Sequence, residues 1–179
     1  MFGKSLLLLF ALVLFACQQD QQDNFDYVQY EAFDLSRYDL PATIMLPDAS
    51  AGIGTSLKPK VSYEVGGFKW RIDVGRNYTM LIEDYGDNAL RFEEFKRKLF
   101  KPNRYFDIKV VEQQPNLLIY KRVVKGAYVA QPNEKYHIYS VCKIDENYYE
   151  IMNREQGDSK RVVDFMFHSI QSIQAKKQT

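Results

Sequence analysis

Cys17 is the residue in this chain whose type and position most clearly indicate chemistry. It follows directly on an unbroken apolar run of eleven residues, Leu6–Ala16, with Lys4 supplying a positive charge before the run. The run is too short to span a bilayer, which needs about 20 residues. A short apolar core that ends at a small residue is typical of a cleaved signal peptide. We therefore expect residues 1–16 to be removed.

The sequence Leu14-Phe15-Ala16-Cys17 resembles a bacterial lipobox, although Phe15 is bulkier than the usual residue at that place. The resemblance implies that the Cys17 thiol is acylated and that Cys17 becomes the new N-terminus of a membrane-anchored lipoprotein. Gln18 follows where the familiar sorting rule places Asp for inner-membrane retention, which implies the outer membrane, facing the periplasm. The alternative is an ordinary secretory signal peptide with a cysteine near the cut.

Residues that commonly build catalytic or metal sites are few and poorly spaced. His137 and His168 lack zinc-site spacing, and Ser140 lies in no nucleophile-elbow motif. Gly52-Ile53-Gly54 lacks the third glycine of a dinucleotide fingerprint. The acidic corner of Glu83, Asp84 and Asp87 lacks the regular spacing of a calcium loop, and a solvated turn is the better interpretation. We expect no catalytic residue, no metal and no cofactor, and hence no enzyme.

A basic cluster is the other candidate site. It places five cations in nine residues, namely Lys96, Arg97, Lys98, Lys101 and Arg104. Such a cluster is suited to lipid phosphates or to an acidic partner. The alternative is a solvated helix end, because cations near a helix C-terminus are favoured by the helix dipole.

Composition limits the classes of partner. Removal of residues 1–16 leaves 163 residues with 23 basic and 23 acidic side chains, which gives no indication of nucleic-acid binding. The 13 Tyr, 12 Phe and one Trp are typical of β-rich structure. A sugar-binding or partner-binding aromatic surface is the alternative interpretation.

The elements that must position these residues follow from local patterns. Gln18–Asn24 contains no apolar residue, so residues 17–34 are predicted to be the lipidated cysteine and a flexible tether before one domain at 35–175. Strands are predicted by period-2 alternation, with a hairpin around Gly66-Gly67. The predicted strands lie at residues 42–46, 61–65, 68–74, 78–83, 105–112, 116–124, 136–144 and 148–153. Because each of the two hairpin strands around Gly66-Gly67 has one apolar and one charged face, one side of an antiparallel sheet is expected to be covered.

Two helices complete the prediction. One is expected to run from an N-cap at Asp87 to about Phe100, and the other from about Ser159 to Gln174. The buried stripe of the second helix is predicted to comprise Val162, Phe165, Met166, Ser169, Ile170 and Ile173. The fold class is therefore α+β, an antiparallel sheet packed by two main helices. We further expect Trp70 and Cys142 to be buried, since each alternates in phase with apolar neighbours.

This order of elements, with the Leu46-Pro47 strand end and the hairpin that carries Trp70, resembles the PsbP-like α/β/α sandwich over about residues 35–175. That resemblance implies a non-enzymatic accessory protein at a membrane-bound complex. The expected function is therefore an accessory or binding module for an envelope protein complex, held by its lipid anchor. The alternative is a lipoprotein that holds a small molecule or glycan in a cleft or on an aromatic face.

Overall fold

Strands make up most of the regular structure. The computed structural model describes residues 27–54, 58–64, 68–126 and 134–176. The strands are β1 Tyr30–Asp34, β2 Ala42–Pro47, β3 Lys60–Glu64, β4 Lys69–Val74, β5 Tyr78–Asp84, β6 Phe106–Gln114, β7 Leu117–Val124, β8 Tyr136–Ile144, β9 Asn147–Asn153 and β10 Gln174–Ala175. The helices are α1 Arg91–Leu99 and α2 Lys160–Gln171, with short 3-10 helices at Ser36–Tyr38 and Ala49–Ala51.

The strands form two antiparallel sheets. The larger has seven strands in the order β3-β4-β5-β9-β8-β7-β6, and the smaller has three in the order β1-β2-β10. Together with α1 and α2 they confirm the predicted α+β class. The PsbP-like resemblance stays a prediction. The second sheet was not predicted, because β10 has only two residues and pairs with β2 across most of the chain.

One face of the large sheet is covered by α2 and the small sheet, and α1 covers part of the other. The expectation of a single covered side holds for β4, where Lys69 and Arg71 are exposed, and is wrong for β8. On one face the apolar side chains of α2 and the small sheet meet those of β4, β5 and β9, including Ile72, Met80 and Ile151. On the other face a smaller core joins Phe92 of α1 to Tyr139 of β8. The molecule therefore has three layers, with the large sheet in the middle.

The two helices differ in how well their starts were predicted. Helix α2 begins after Ser159, whose hydroxyl accepts a hydrogen bond from the Val162 N–H as an N-cap should. Its predicted stripe is buried except for Ile173, which is half-buried beyond the helix end. Helix α1 begins at Arg91, so the predicted N-cap at Asp87 is wrong. The Asn88 side chain instead accepts from the Leu90 N–H within a turn.

The boundary between tether and domain also differs from the prediction. Strand β1 begins at Tyr30, inside the segment 17–34 that was assigned to the tether, and pairs with β2 from Tyr30↔Pro47 to Asp34↔Thr43. Tyr30 and Phe33 pack against the main core, which explains why this stretch is ordered. Cys17 and the apolar run lie outside the described residues. No helix in the described ranges is long and apolar enough to cross a bilayer.

Trp70 and Cys142 have different surroundings. Strands β3 and β4 pair as predicted, Gly66-Gly67 lies outside the described residues, and Trp70 is 5 % exposed, which confirms its burial. Cys142 is only half-buried, so its predicted full burial is wrong. It lies near the end of β8, next to the exposed Lys143. Burial still raises the pKa of its thiol to about 12, which leaves it protonated and unreactive at neutral pH.

Candidate interaction surface

Helix α1 is fixed to the sheet by its aromatic face. Phe92 is buried, and Phe95 stacks on Tyr139 of β8 with ring centroids 3.4 Å apart and also meets Tyr120 of β7. Leu99, four residues after Phe95, packs in the same cluster, and Arg97 and Lys98 beside it are exposed to solvent.

A buried ion pair fixes the start of the same helix. The Arg91 guanidinium donates to Glu150 Oε2 at 2.7 Å and 2.9 Å, and Glu150 lies on β9, the central strand of the sheet. Arg91 also donates to the Tyr85 hydroxyl at 2.9 Å and stacks over that ring. The side chains of Arg91 and Glu150 are 16 % and 3 % exposed. The orientation of α1, and hence of its cations, is set by this pair.

The segment after α1 is tied to the end of hairpin β6–β7. The Asn103 side chain accepts hydrogen bonds from the backbone N–H groups of Tyr105 and Phe106. Lys125, just after β7, donates through its backbone to Tyr105 O and through Nζ to Asn103 O. Lys101 and Arg104 are therefore held beside the hairpin.

The five predicted cations do not share one environment. Lys96 forms an ion pair with Glu93 at 3.0 Å and lies over the Phe92 ring, so it belongs to the helix surface. Arg104 stacks on the Tyr105 ring, 4.4 Å from its centroid. Within the described ranges no carboxylate lies at ion-pair distance from Arg97, Lys98, Lys101 or Arg104. The structure thus keeps four of the five as exposed, unneutralised cations.

Hairpin β6–β7 adds cations that the sequence analysis missed. Lys109 and Arg122 are exposed, and Lys125 pairs with Asp107 on β6. Residues 96–125 contain nine basic and two acidic side chains, a net charge of +7, whereas the remaining chain has 15 basic and 21 acidic ones, a net charge of −6. Charge counted over this longer window, instead of over nine residues, would have identified the larger surface.

Exposed apolar side chains lie among these cations. Tyr105 is 60 % and Val124 63 % exposed, and Phe100, Val110 and Val123 are between 41 % and 47 % exposed. We call the cations Arg97, Lys98, Lys101, Arg104 and Arg122, together with these apolar residues except Val123, the basic surface. Lys109 and Val123 lie on the opposite face of the hairpin from Arg122. Large apolar groups that remain exposed together indicate a contact site.

The basic surface lies at one end of the large sheet, which we call the upper end. Strand β6 begins there and β7 ends there, with Phe106 opposite Val124. Strand β8 also begins there, because Lys121 of β7 pairs with Tyr136 of β8. The opposite, lower end carries the β6–β7 turn and the β8–β9 turn.

The chain enters the described domain at the same upper end. Helix α2 starts there, since Asp158 just before it exchanges backbone hydrogen bonds with Tyr136. Arg161 in the first turn of α2 donates to the carbonyl of Ala51, which follows β2, and the end of β2 pairs with Tyr30 at the start of β1. The described chain, which starts at residue 27, therefore begins at the upper end.

His137 is a structural residue near this end. It is 6 % exposed and stacks on Tyr120 with ring centroids 5.0 Å apart. Burial, aided by the charge of Arg122 and opposed by Asp158, lowers the pKa of His137 to about 4. Its neutral imidazole packs in the folded state, and no nucleophile contacts it.

The titration of His137 predicts acid sensitivity. The unfolded state takes up the proton near pH 6.5, and the folded state does so only near pH 4. The free energy of unfolding should therefore fall by about 2–3 kcal/mol as pH drops through this window. Denaturation at a series of pH values checks this. His137→Gln should remove that part of the slope, and an identical slope in the variant would contradict the prediction.

A cleft at the lower end is the second candidate site. It has a volume of about 490 Å³ and lies between the β6–β7 turn, the end of β8 and the end of α2. Polar groups of Gln114, Asn116, Lys143 and Gln171 line it, together with the thiol of Cys142. This volume is within the range of small-molecule sites.

The other residues considered for chemistry have structural roles. Ser140 is buried and donates to Asn116 O, and Gly52 in left-handed conformation ends a 3-10 helix. Asp84 accepts from the Gly86 N–H and from Asn147. His168 is exposed, with its ring edge against Tyr30. Across the described part of the chain no group of three potential metal ligands comes together.

Comparisons of the sequence with known proteins identified no relative. The chain matches no protein-family model, and no curated protein is significantly similar to it in sequence.

Proposed function

We propose that this chain is a bacterial envelope lipoprotein without enzymatic activity, acting as an accessory or binding module for an envelope protein complex. Its anchor is the acylated Cys17, most simply in the outer membrane facing the periplasm. Each buried methylene contributes about 0.8 kcal/mol, so several acyl chains anchor a protein almost permanently.

The basic surface is the observation that carries a binding role. Its cations lack carboxylate partners among the described residues, and its apolar side chains remain exposed, so both kinds of group are available for a contact. The side chains there are Lys, Arg, Val, Phe and Tyr on rigidly packed elements. That arrangement supports recognition of an anionic surface.

Acylation at Cys17 is the first prediction to test. Mass spectrometry of the mature N-terminus should find an acylated peptide that begins at Cys17, and Cys17→Ser should leave the protein uncleaved or released from the membrane. Cys142→Ser is the matched control, since it replaces the only other cysteine and should leave the protein on the membrane. An unmodified N-terminal peptide that begins elsewhere would remove the anchor from the proposal.

The partner is tested separately in cells. A photo-reactive residue placed at Leu90, which is 67 % exposed, or at Phe68, which is 60 % exposed, should capture a defined envelope protein if the module serves a complex. Absence of any protein adduct from either position would count against the accessory role.

A ligand-binding lipoprotein is the second candidate, and the lower cleft favours it. Its polar lining suits a small polar molecule, with Lys143 able to meet an acidic group. Native mass spectrometry of protein purified from its own envelope would show a bound molecule. Lys143→Ala should weaken that binding and leave the basic surface unaffected.

A further inference from the structure

We infer that the basic surface docks the domain onto the anionic headgroups of the membrane that carries its anchor. This inference rests on the proposed function, because it takes the anchored membrane as the surface nearest to the domain. In this inference the basic surface binds lipid headgroups, and a protein partner binds elsewhere on the domain.

Charge segregation is the first argument. The +7 carried by residues 96–125 stands against −6 on the remaining chain, so a nearly neutral protein has a strongly polarised charge distribution. Exposed acidic residues lie at both ends of the sheet. Asp39, Asp87, Asp145 and Glu146 are at the lower end, and Glu31, Asp107, Glu134 and Glu155 are toward the upper end, so the polarity comes from the cations of the basic surface. An anionic bilayer attracts the clustered cations of the basic surface, which orients the upper end toward it.

Ion pairing distinguishes the cations of the basic surface from other basic residues at both ends. At the upper end Lys121 pairs with Glu134 at 2.8 Å and Lys125 with Asp107 at 3.0 Å. At the lower end Lys69 pairs with Glu83 at 3.0 Å and Lys143 with Glu146 at 3.5 Å. On the basic surface the charges of Lys98, Lys101 and Arg104 have no carboxylate neighbours within the described ranges. Phosphate groups of lipids supply the missing partners.

The apolar members of the basic surface fit a bilayer interface. Tyr105 and Phe100 are exposed beside the cations, and Val124, the last residue of β7, lies on the same face of the hairpin as Arg122. Aromatic rings favour the headgroup level of a membrane, and cations adjacent to them reach the phosphates. An acidic protein would satisfy the cations but would gain less from this scattered set of apolar side chains.

Chain length is the third argument. Cys17 and Tyr27 are ten residues apart, a span of at most about 33–36 Å. Seven strands at about 4.8 Å spacing give a sheet about 29 Å wide. Because the chain enters at the upper end, an anchored Cys17 keeps the whole upper end within reach of the membrane.

The experiment uses the chain from residue 17 with Cys17→Ser, which contains every described element and carries no acyl chain. It is mixed with vesicles of phosphatidylcholine alone, or of phosphatidylcholine with phosphatidylglycerol, and sedimented. We expect binding to the anionic vesicles only, weakened by salt. Each cation near the surface contributes about fivefold in affinity, so K98Q/K101Q/R104Q should lose about a hundredfold.

The matched control is R37Q/K69Q/K143Q, which removes the same charge from exposed positions at the lower end. It should bind like the parent chain, and Trp70 fluorescence should show that both triple variants are folded. Equal losses in both variants, or no binding of the parent to anionic vesicles, would overturn the inference. A photo-reactive residue substituted at Val124 should crosslink to lipid in cells. If it crosslinks to protein and not to lipid, the basic surface binds an acidic protein instead.

The vesicle assay and the mass spectrum of the N-terminus can fail separately, so failure of this inference is distinguishable from failure of the proposed anchor. If the protein binds vesicles but its native N-terminus is not acylated, the lipid anchor is rejected and binding of the basic surface to anionic lipid is supported. If Cys17 is acylated but the protein does not bind vesicles, the lipid anchor is supported and docking of the basic surface on the membrane is rejected.

Discussion

Trp70→Ala should destabilise the domain by about 3–5 kcal/mol. The indole lies between the Tyr63 ring, stacked at 5.6 Å, and the Tyr149 ring at 6.0 Å. Its Nε1–H donates to the carbonyl of Tyr38 at 2.6 Å, in the connection between β1 and β2. Removing it leaves a cavity and an unpaired carbonyl and also removes one of the contacts between the β1–β2 connection and the large sheet.

Trp70→Phe separates these contributions. Phenylalanine keeps most of the packing but leaves the Tyr38 carbonyl without its donor, so the loss should be about 1–3 kcal/mol. Denaturant unfolding measures both variants, and in the parent chain the single tryptophan reports the transition by its own emission. Native emission already at the wavelength of exposed tryptophan, with a small loss in Trp70→Ala, would contradict the buried position.

Local patterns predicted the elements more fully than their packing. The alternation of Trp70, Ile72 and Val74 with charged residues placed β4 correctly, because a half-buried strand needs that period. The small sheet escaped prediction, since β1 pairs with β2 only after a turn and β10 reaches β2 from residues 174–175. The pairing of β10 with β2 depends on where α2 ends in space, and a short stretch of sequence does not predict that position.

The candidate site shows the same limit. Lys98 and Lys101 were found because they are neighbours in sequence. Arg122 joins them only through the antiparallel pairing of β7 with β6, where it lies opposite Ile108 and over the Phe106 ring. Lys96 differs from the remaining cations because it forms an ion pair with Glu93. Which cations of α1 are exposed depends on the rotation of the helix about its axis, and the packing of Phe95 helps to fix that rotation.

Arg91→Ala is expected to have an effect as large as that of Trp70→Ala, about 3–5 kcal/mol. It removes the partner of a carboxylate that is 3 % exposed on the central strand, and the lost Coulomb attraction is not replaced by water. The start of α1 would then lose its fixed position. Denaturant unfolding gives the loss, and hydrogen exchange over residues 91–99 shows whether the helix opens locally.

Two further variants show that the unpaired charge is the cause. Adding Glu150→Gln to Arg91→Ala should recover part of the stability, because a neutral amide costs less to bury than a carboxylate. Lys69→Ala, which breaks the exposed pair with Glu83 on the adjacent strand, should cost about 1 kcal/mol or less. If the double variant is no more stable than Arg91→Ala, the loss arises from packing of the arginine stem and not from the charge of Glu150.

The same pair also orients the cations of α1. Arg91→Ala should therefore weaken binding of the basic surface to anionic vesicles. A defect confined to the surroundings of Glu150 would not change that binding.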